Sequence, residues 1–200
     1  MKPARGAGVD QYESILWKRL DAPGHEIGEL RQTANGWQLR GAAVFAHAGQ
    51  PCRLEYDIRC DPDWRTELVT VIGNVGDTDV AIELLRNPAG EWAVRGSKVW
   101  ELTDCDDVDL NFSPSTNTLP VRRLALAVGE SARVRAAWVR FPEFNIEPLE
   151  QVYTRTGAET YRYESANGKF RRELTVDTAG FVIEYPDFWR AEARSRPSNG

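Results

Sequence analysis

The chain has 200 residues, 42% hydrophobic and 28% charged, with a formal net charge of −5. A chain of this length buries roughly 70% of its unfolded surface, enough for one large core. The acidic balance speaks against nucleic-acid binding, which draws on a basic face to neutralise phosphates, and against an electrostatic grip on anionic membrane. The N-terminus has no apolar run of signal-peptide length, and no stretch approaches the roughly eighteen residues of a membrane span, so a cytoplasmic protein without integral membrane association is expected. Cysteines stand at 52, 60 and 105. An odd number is a poor disulfide framework, and the expectation is small buried hydrophobes.

In chain order, period-two alternation dominates. Trp37, Leu39, Gly41, Ala43 and Phe45 alternate with Gln38 and Arg40. Cys52, Leu54, Tyr56, Ile58 and Cys60 alternate with Arg53, Glu55, Asp57 and Arg59. The second set defines a strand with one apolar and one charged face, on a sheet with one wet side. Val80, Ile82 and Leu84 continue the pattern, with Leu85 on the other face weakening the register. Gly90–Gly96 echoes Gly36–Gly41, each opening a strand with a tryptophan after a turn. The echo is either a duplicated hairpin or a general property of hairpins.

Next comes the acidic run Asp104-Cys105-Asp106-Asp107-Val108-Asp109. It fails the EF-hand template, since Val108 and Asp109 occupy a ligand position and the position of the sharp-turn glycine. Asp107 and Asp109, at i and i+2, share one face of a strand, an arrangement open to acid/base work or to ion pairing. The pattern then changes period. Asn117 or Thr118 offers an N-cap, Pro120 falls in the first turn, and Val121, Leu124, Ala125 and Val128 follow helical spacing, with Gly129 as the stop. A helix is expected over about Leu119–Val128. It is apolar nearly all round, hence buried, with Arg122 and Arg123 at its N-terminal end. Two guanidinium groups there oppose the macrodipole and need anions or water, supplied by internal ion pairs, by a bound anionic or sugar headgroup, or by solvent.

Val134, Ala136 and Trp138 oppose Arg133 and Arg135 in a further strand. Tyr161–Ser165 and Phe170–Val176 flank Ala166-Asn167-Gly168-Lys169, a hairpin signal because Asn-Gly suits positive φ. Ten to thirteen strands are expected, in a rolled or barrel-like sheet or two stacked ones. Segments 1–10 and 194–200 read as tails around a single domain at 11–193. Walker, dinucleotide, zinc-protease and nucleophile-elbow motifs are absent, and His25 and His47 are isolated, so neither a cofactor nor a metal is expected.

The stretch Asp107–Leu124, with paired aspartates, the Ser-Pro-x-Thr-Asn-Thr-Leu-Pro loop and an Arg-Arg-Leu helix start in order, resembles the signature of a bacterial family known as putative glycolipid-binding proteins, formerly a domain of unknown function. The similarity extends more loosely over about Tyr12–Glu192. It implies a mainly β fold, a spiral β-roll in which a long antiparallel sheet wraps a single central α-helix, and it brings no catalytic residues. Three functions compete. The first is a non-enzymatic binder of an amphipathic ligand such as a glycolipid, with Arg122, Arg123, Asp107, Asp109 and Asn117 as candidate headgroup contacts. The second is an enzyme acting on a small or sugar-containing substrate through Asp107, Asp109 or another buried acid. The third is an interaction module using a sheet edge or the aromatic segment Tyr185–Trp189.

Overall fold

The computed structural model describes residues 12–195. Its strands are β1 (Tyr12–Arg19), β2 (Gly24–Thr33), β3 (Gly36–His47), β4 (Gln50–Cys60), β5 (Thr66–Val75), β6 (Thr78–Arg86), β7 (Trp92–Val94) and β8 (Ser97–Lys98). They continue as β9 (Asp107–Leu110), β10 (Ser131–Arg140), β11 (Asn145–Arg155), β12 (Thr160–Ser165), β13 (Phe170–Val176), β14 (Val182–Tyr185) and β15 (Trp189–Ser195). The α-helix among the described residues is α1 (Thr118–Leu124). No helix of these residues is long and apolar enough to cross a membrane. The tail expected at 1–10 lies outside the described residues, as do 196–200, while Arg194 and Ser195 belong to β15.

All fifteen strands form one sheet in the order β8-β7-β6-β5-β4-β3-β2-β1-β15-β14-β13-β12-β11-β10-β9. It is mainly β and not closed into a barrel. Two meanders grow outward from a central seam where β1 pairs with β15. Laid flat, the two edges of fifteen strands would stand about 65–70 Å apart. Yet β8 and β9 are joined by residues 99–106 alone, a length of chain that reaches at most about 30 Å. The sheet must therefore curl until its ends meet. The β9 end tucks inside, where the Thr66 amide donates to the Asp106 carbonyl at 3.0 Å and the Val108 amide to Thr66 Oγ1 at 3.2 Å. Fifteen strands exceed the ten to thirteen expected because β7, β8, β9 and β14 have only two to four residues each, too few for an alternation to register. The sheet is also mixed, since β9 runs parallel to β10.

Alternation holds where it was clearest. Cys52, Leu54, Tyr56, Ile58 and Cys60 are buried, and Leu85 turns outward, leaving Val80 and Leu84 in the core. The three cysteines are free and buried. At Ala166–Lys169 the chain turns with Asn167 at φ 56° and Gly168 at φ 80°, and Ser165 pairs with Phe170 across the hairpin. In β10 the alternation breaks down, for Ala137 and Val139 are buried on the face opposite Val134 and Ala136. Beyond Arg135 this strand has no wet side, as its unbroken run Ala136–Val139 implies.

The helix departs most from expectation. It ends at Leu124, with Ala125 left-handed at φ 44°, ψ 41°. Beyond that point competing partners take the backbone. The Ala127 amide donates to Glu130 Oε2, Arg155 Nη1 donates to the Leu126 carbonyl, and the Gly129 amide donates to the Arg155 carbonyl. Leu126 turns into an apolar cluster with Tyr153, Tyr161 and Leu174, while Val128 is 60% exposed. Arg122 and Arg123 consequently lie in the last turn, where the macrodipole favours cations. Ala125 bears the cost of a left-handed L-residue, so Ala125→Gly is expected to raise stability by about 0.5–1 kcal/mol in chemical denaturation. In a helix running on to Val128 the same change would destabilise by about 1 kcal/mol.

Candidate functional site

Strand β9 has a different neighbour on each face. Val108 and Leu110 join Ala137 and Val139 in the larger apolar cluster, packed with Leu54, Ile58 and Val69 of the N-terminal meander. Asp107 and Asp109 point the other way, beside their register partners Ala136 and Trp138. The two acids meet different surroundings. Asp107, 1% exposed, is gripped in bidentate fashion by Arg123, with Nε to Oδ1 at 3.0 Å and Nη2 to Oδ2 at 2.6 Å. Burial pushes its carboxyl up, and Arg123 opposes that shift. Breaking such a buried pair costs about 3–5 kcal/mol because the surviving charge is left uncompensated. Asp106 gathers Arg86 at 2.9 Å, Arg123 at 3.5 Å and Arg65 at 3.6 Å. The acidic run is thus an arginine-paired cluster, and no group of three or more His, Cys, Asp or Glu among the described residues is placed to hold a metal.

Asp109 faces a cavity of about 330 Å3 between β9–β10 and β12–β15. Trp138, Leu149, Phe170, Tyr185, Phe188 and Trp189 give it an apolar wall, and Asp109, Asn111, Ser113, Asn117 and Ser165 give it a polar one. Trp138 stands beside Asp109 through the parallel β9–β10 register. Gln151 Nε2 donates to Asp109 Oδ2 at 2.6 Å and to the Tyr163 hydroxyl at 3.1 Å. Burial pushes the Asp109 carboxyl up to about 6, with the Gln151 hydrogen bond opposing. Asn117 precedes the helix without capping it. Its Oδ1 accepts from the Tyr153 hydroxyl at 2.8 Å and its Nδ2 donates to the Pro114 carbonyl.

Of the five residues singled out from sequence, Asp109 and Asn117 therefore share the cavity, and Asp107 and Arg123 neutralise one another outside its lining. Arg122 is elsewhere. Its guanidinium stands 4.9 Å from the Trp64 ring, itself stacked on Trp37, and donates to the Thr178 carbonyl. Tyr185, Phe188 and Trp189, proposed from sequence as an outer contact patch, line the cavity.

Residues 14–191 match the model of a family described as putative glycolipid-binding. The chain belongs to this family. A solved structure of a family member from Pseudomonas aeruginosa, classed there as a domain of unknown function, is similar at 29% identity and a TM-score of 0.73, covering 93% of this chain and 97% of that one. No curated protein matches.

Beside the cavity, this member of the glycolipid-binding family buries a second acid that sequence reading passed over. Glu26 on β2 is 1% exposed. Its Oε1 accepts from the Tyr56 hydroxyl at 2.7 Å and from Ser113 Oγ at 2.5 Å, while Oε2 has no partner. Tyr56 reaches it across Gly41, where a Cβ would stand 2.2 Å from the phenol oxygen. The one available signal was parity, since Glu26 aligns with Gly28 and Leu30 while Ile27 faces outward, 44% exposed. Ser113 also lines the cavity, so the Glu26 cluster closes one side of it.

Burial pushes Glu26 up to about 8 from 4.5, with Ser113 and Tyr56 opposing. The folded state therefore holds a proton that the unfolded chain has lost, and stability falls as pH rises from about 4.5 to 8, then levels. Asp109 contributes in the same direction only up to about 6. Denaturation midpoints between pH 6.5 and 8 are expected to decline in the parent and to flatten in Glu26→Gln. An unchanged slope in the variant would contradict the assignment.

Proposed function

We propose that the chain is a non-enzymatic, cytoplasmic binder of an amphipathic ligand, with a glycolipid as the class to which the family description points, and that the headgroup occupies the Asp109–Trp138 cavity. The observation that carries the reading is the cavity's two-sided lining. A wall of aromatic rings accepts apolar or ring-stacked surface, and an opposing carboxylate, two amides and two hydroxyls accept or donate hydrogen bonds. At about 330 Å3 the cavity stands at the small end of ligand pockets, which start at about 300 Å3. That volume suits a headgroup and the first part of a tail.

The enzymatic alternative needs a second free carboxylate or an activated nucleophile. Asp107 is tied to Arg123, and burial pushes the thiols of Cys60 and Cys105 up, the latter to about 12. Those groups favour binding over turnover.

Native mass spectrometry of the purified protein and calorimetric titration with octyl glucoside test the reading. Saturable one-to-one binding is expected, weakened about tenfold or more by Trp138→Ala and unaltered by Arg122→Ala, since Arg122 does not line the cavity. No co-purifying amphiphile together with no uptake of any amphiphile offered would overturn it.

A further inference from the structure

The charge of the cavity permits a narrower statement, which rests on the binding function proposed above. Asp109 is the one formally charged residue in the lining, which holds no lysine, arginine or histidine among the described residues. Every other acid discussed near the inner strand is provided for. Asp107 has Arg123, Asp106 has three arginines, and Glu26 keeps its proton up to about 8. Asp109 receives one neutral amide hydrogen bond, from Gln151, and with its carboxyl near 6 it is ionised at pH 7.

Aromatic rings surround it. An aromatic face is the negative end of a quadrupole and attracts cations within about 6 Å of its centroid. Trp138 is in register beside Asp109, and Tyr163, Phe170, Tyr185 and Phe188 pack edge to face or tilted, with centroids 5.4–6.5 Å apart. Arg140 approaches the ring of Trp138, Arg172 those of Phe170 and Phe188, and Arg19 that of Trp189, but none is part of the lining, and each has its own acid, Glu147, Asp187 and Asp21. A carboxylate without a counter-ion, walled by aromatic rings, is a receptor for a positive group. An anionic headgroup would meet like charge there and no compensating cation in the lining.

We propose that the cavity selects a ligand whose headgroup carries an ammonium group, protonated or quaternary, which supplies the counter-ion that the protein withholds from Asp109.

Calorimetric titration of the full chain with three probes of equal tail length, octyltrimethylammonium, octyl glucoside and octyl sulfate, tests this. At pH 7 the ammonium probe is expected to bind at least tenfold tighter than the glucoside, with the sulfate weakest. At pH 5 that preference should shrink several-fold as Asp109 takes up a proton. Of the groups around it, Tyr153, Tyr163 and Tyr185 are all pushed above their ordinary range and Glu26 stays protonated over this interval, while Asp107 is held by Arg123, which opposes the upward push of burial. Asp109→Asn, which keeps the shape and an acceptor for Gln151, should abolish the preference for the ammonium probe over the glucoside. Glucoside bound as tightly as ammonium by the parent protein overturns the ammonium proposal and leaves the binder standing. Ammonium preference that survives at pH 5 or in Asp109→Asn also overturns it, by assigning the preference to the acidic surface. Binding of none of the three overturns both readings.

Discussion

The structure depends on burying both faces of a short strand that carries two acids. β9 lies at the end of the sheet, yet curling brings it inside, where Val108 and Leu110 seal one apolar cluster and Asp107 and Asp109 face the other side. A carboxylate in that position costs several kcal/mol unless it is paired. The protein meets this cost for Asp107 with a bidentate arginine from the helix, and that pair in turn fixes where the helix must lie. The helix is thus less a hydrophobic plug than the carrier of a counter-ion, seven residues long and held by packing at Leu119 and Val121.

The same constraint explains the cavity. With the helix drawn to Asp107, nothing of comparable size reaches the β12–β15 side of Asp109, and aromatic side chains from the C-terminal meander line the space that is left. Glu26 shows a third way of burying an acid, held protonated by burial against the opposing pull of two hydroxyl donors. Asp107, Glu26 and Asp109 are therefore treated differently: one paired, one protonated, and one left ionisable beside a cavity. That contrast is what singles out Asp109 in the proposed binding function.

Much of this was legible in the sequence. The strands with five or more alternating residues, the Asn167-Gly168 hairpin, the buried cysteines and the family motif were all readable, because each depends on local pattern. The motif located the inner strand and the helix, and it named Asp109 and Asn117 among the cavity residues. What escaped notice is non-local. The helix stops at Leu124 because Arg155, thirty residues downstream in the chain, offers its carbonyl and guanidinium to the segment that follows. Trp138, Phe170 and Phe188 converge only after the sheet curls, and Glu26 differs from a surface glutamate by strand parity alone.

Whether Asp109 is the interior carboxylate that the protein leaves without a counter-ion is the point on which the functional account turns. Side-chain carboxyl carbon-13 resonances, followed by pH titration of the ligand-free protein, measure it directly. The account predicts an Asp109 midpoint near 6. A midpoint at or below the ordinary aspartate value of 3.8 would mean that a cation of the protein already neutralises it, and would contradict the account.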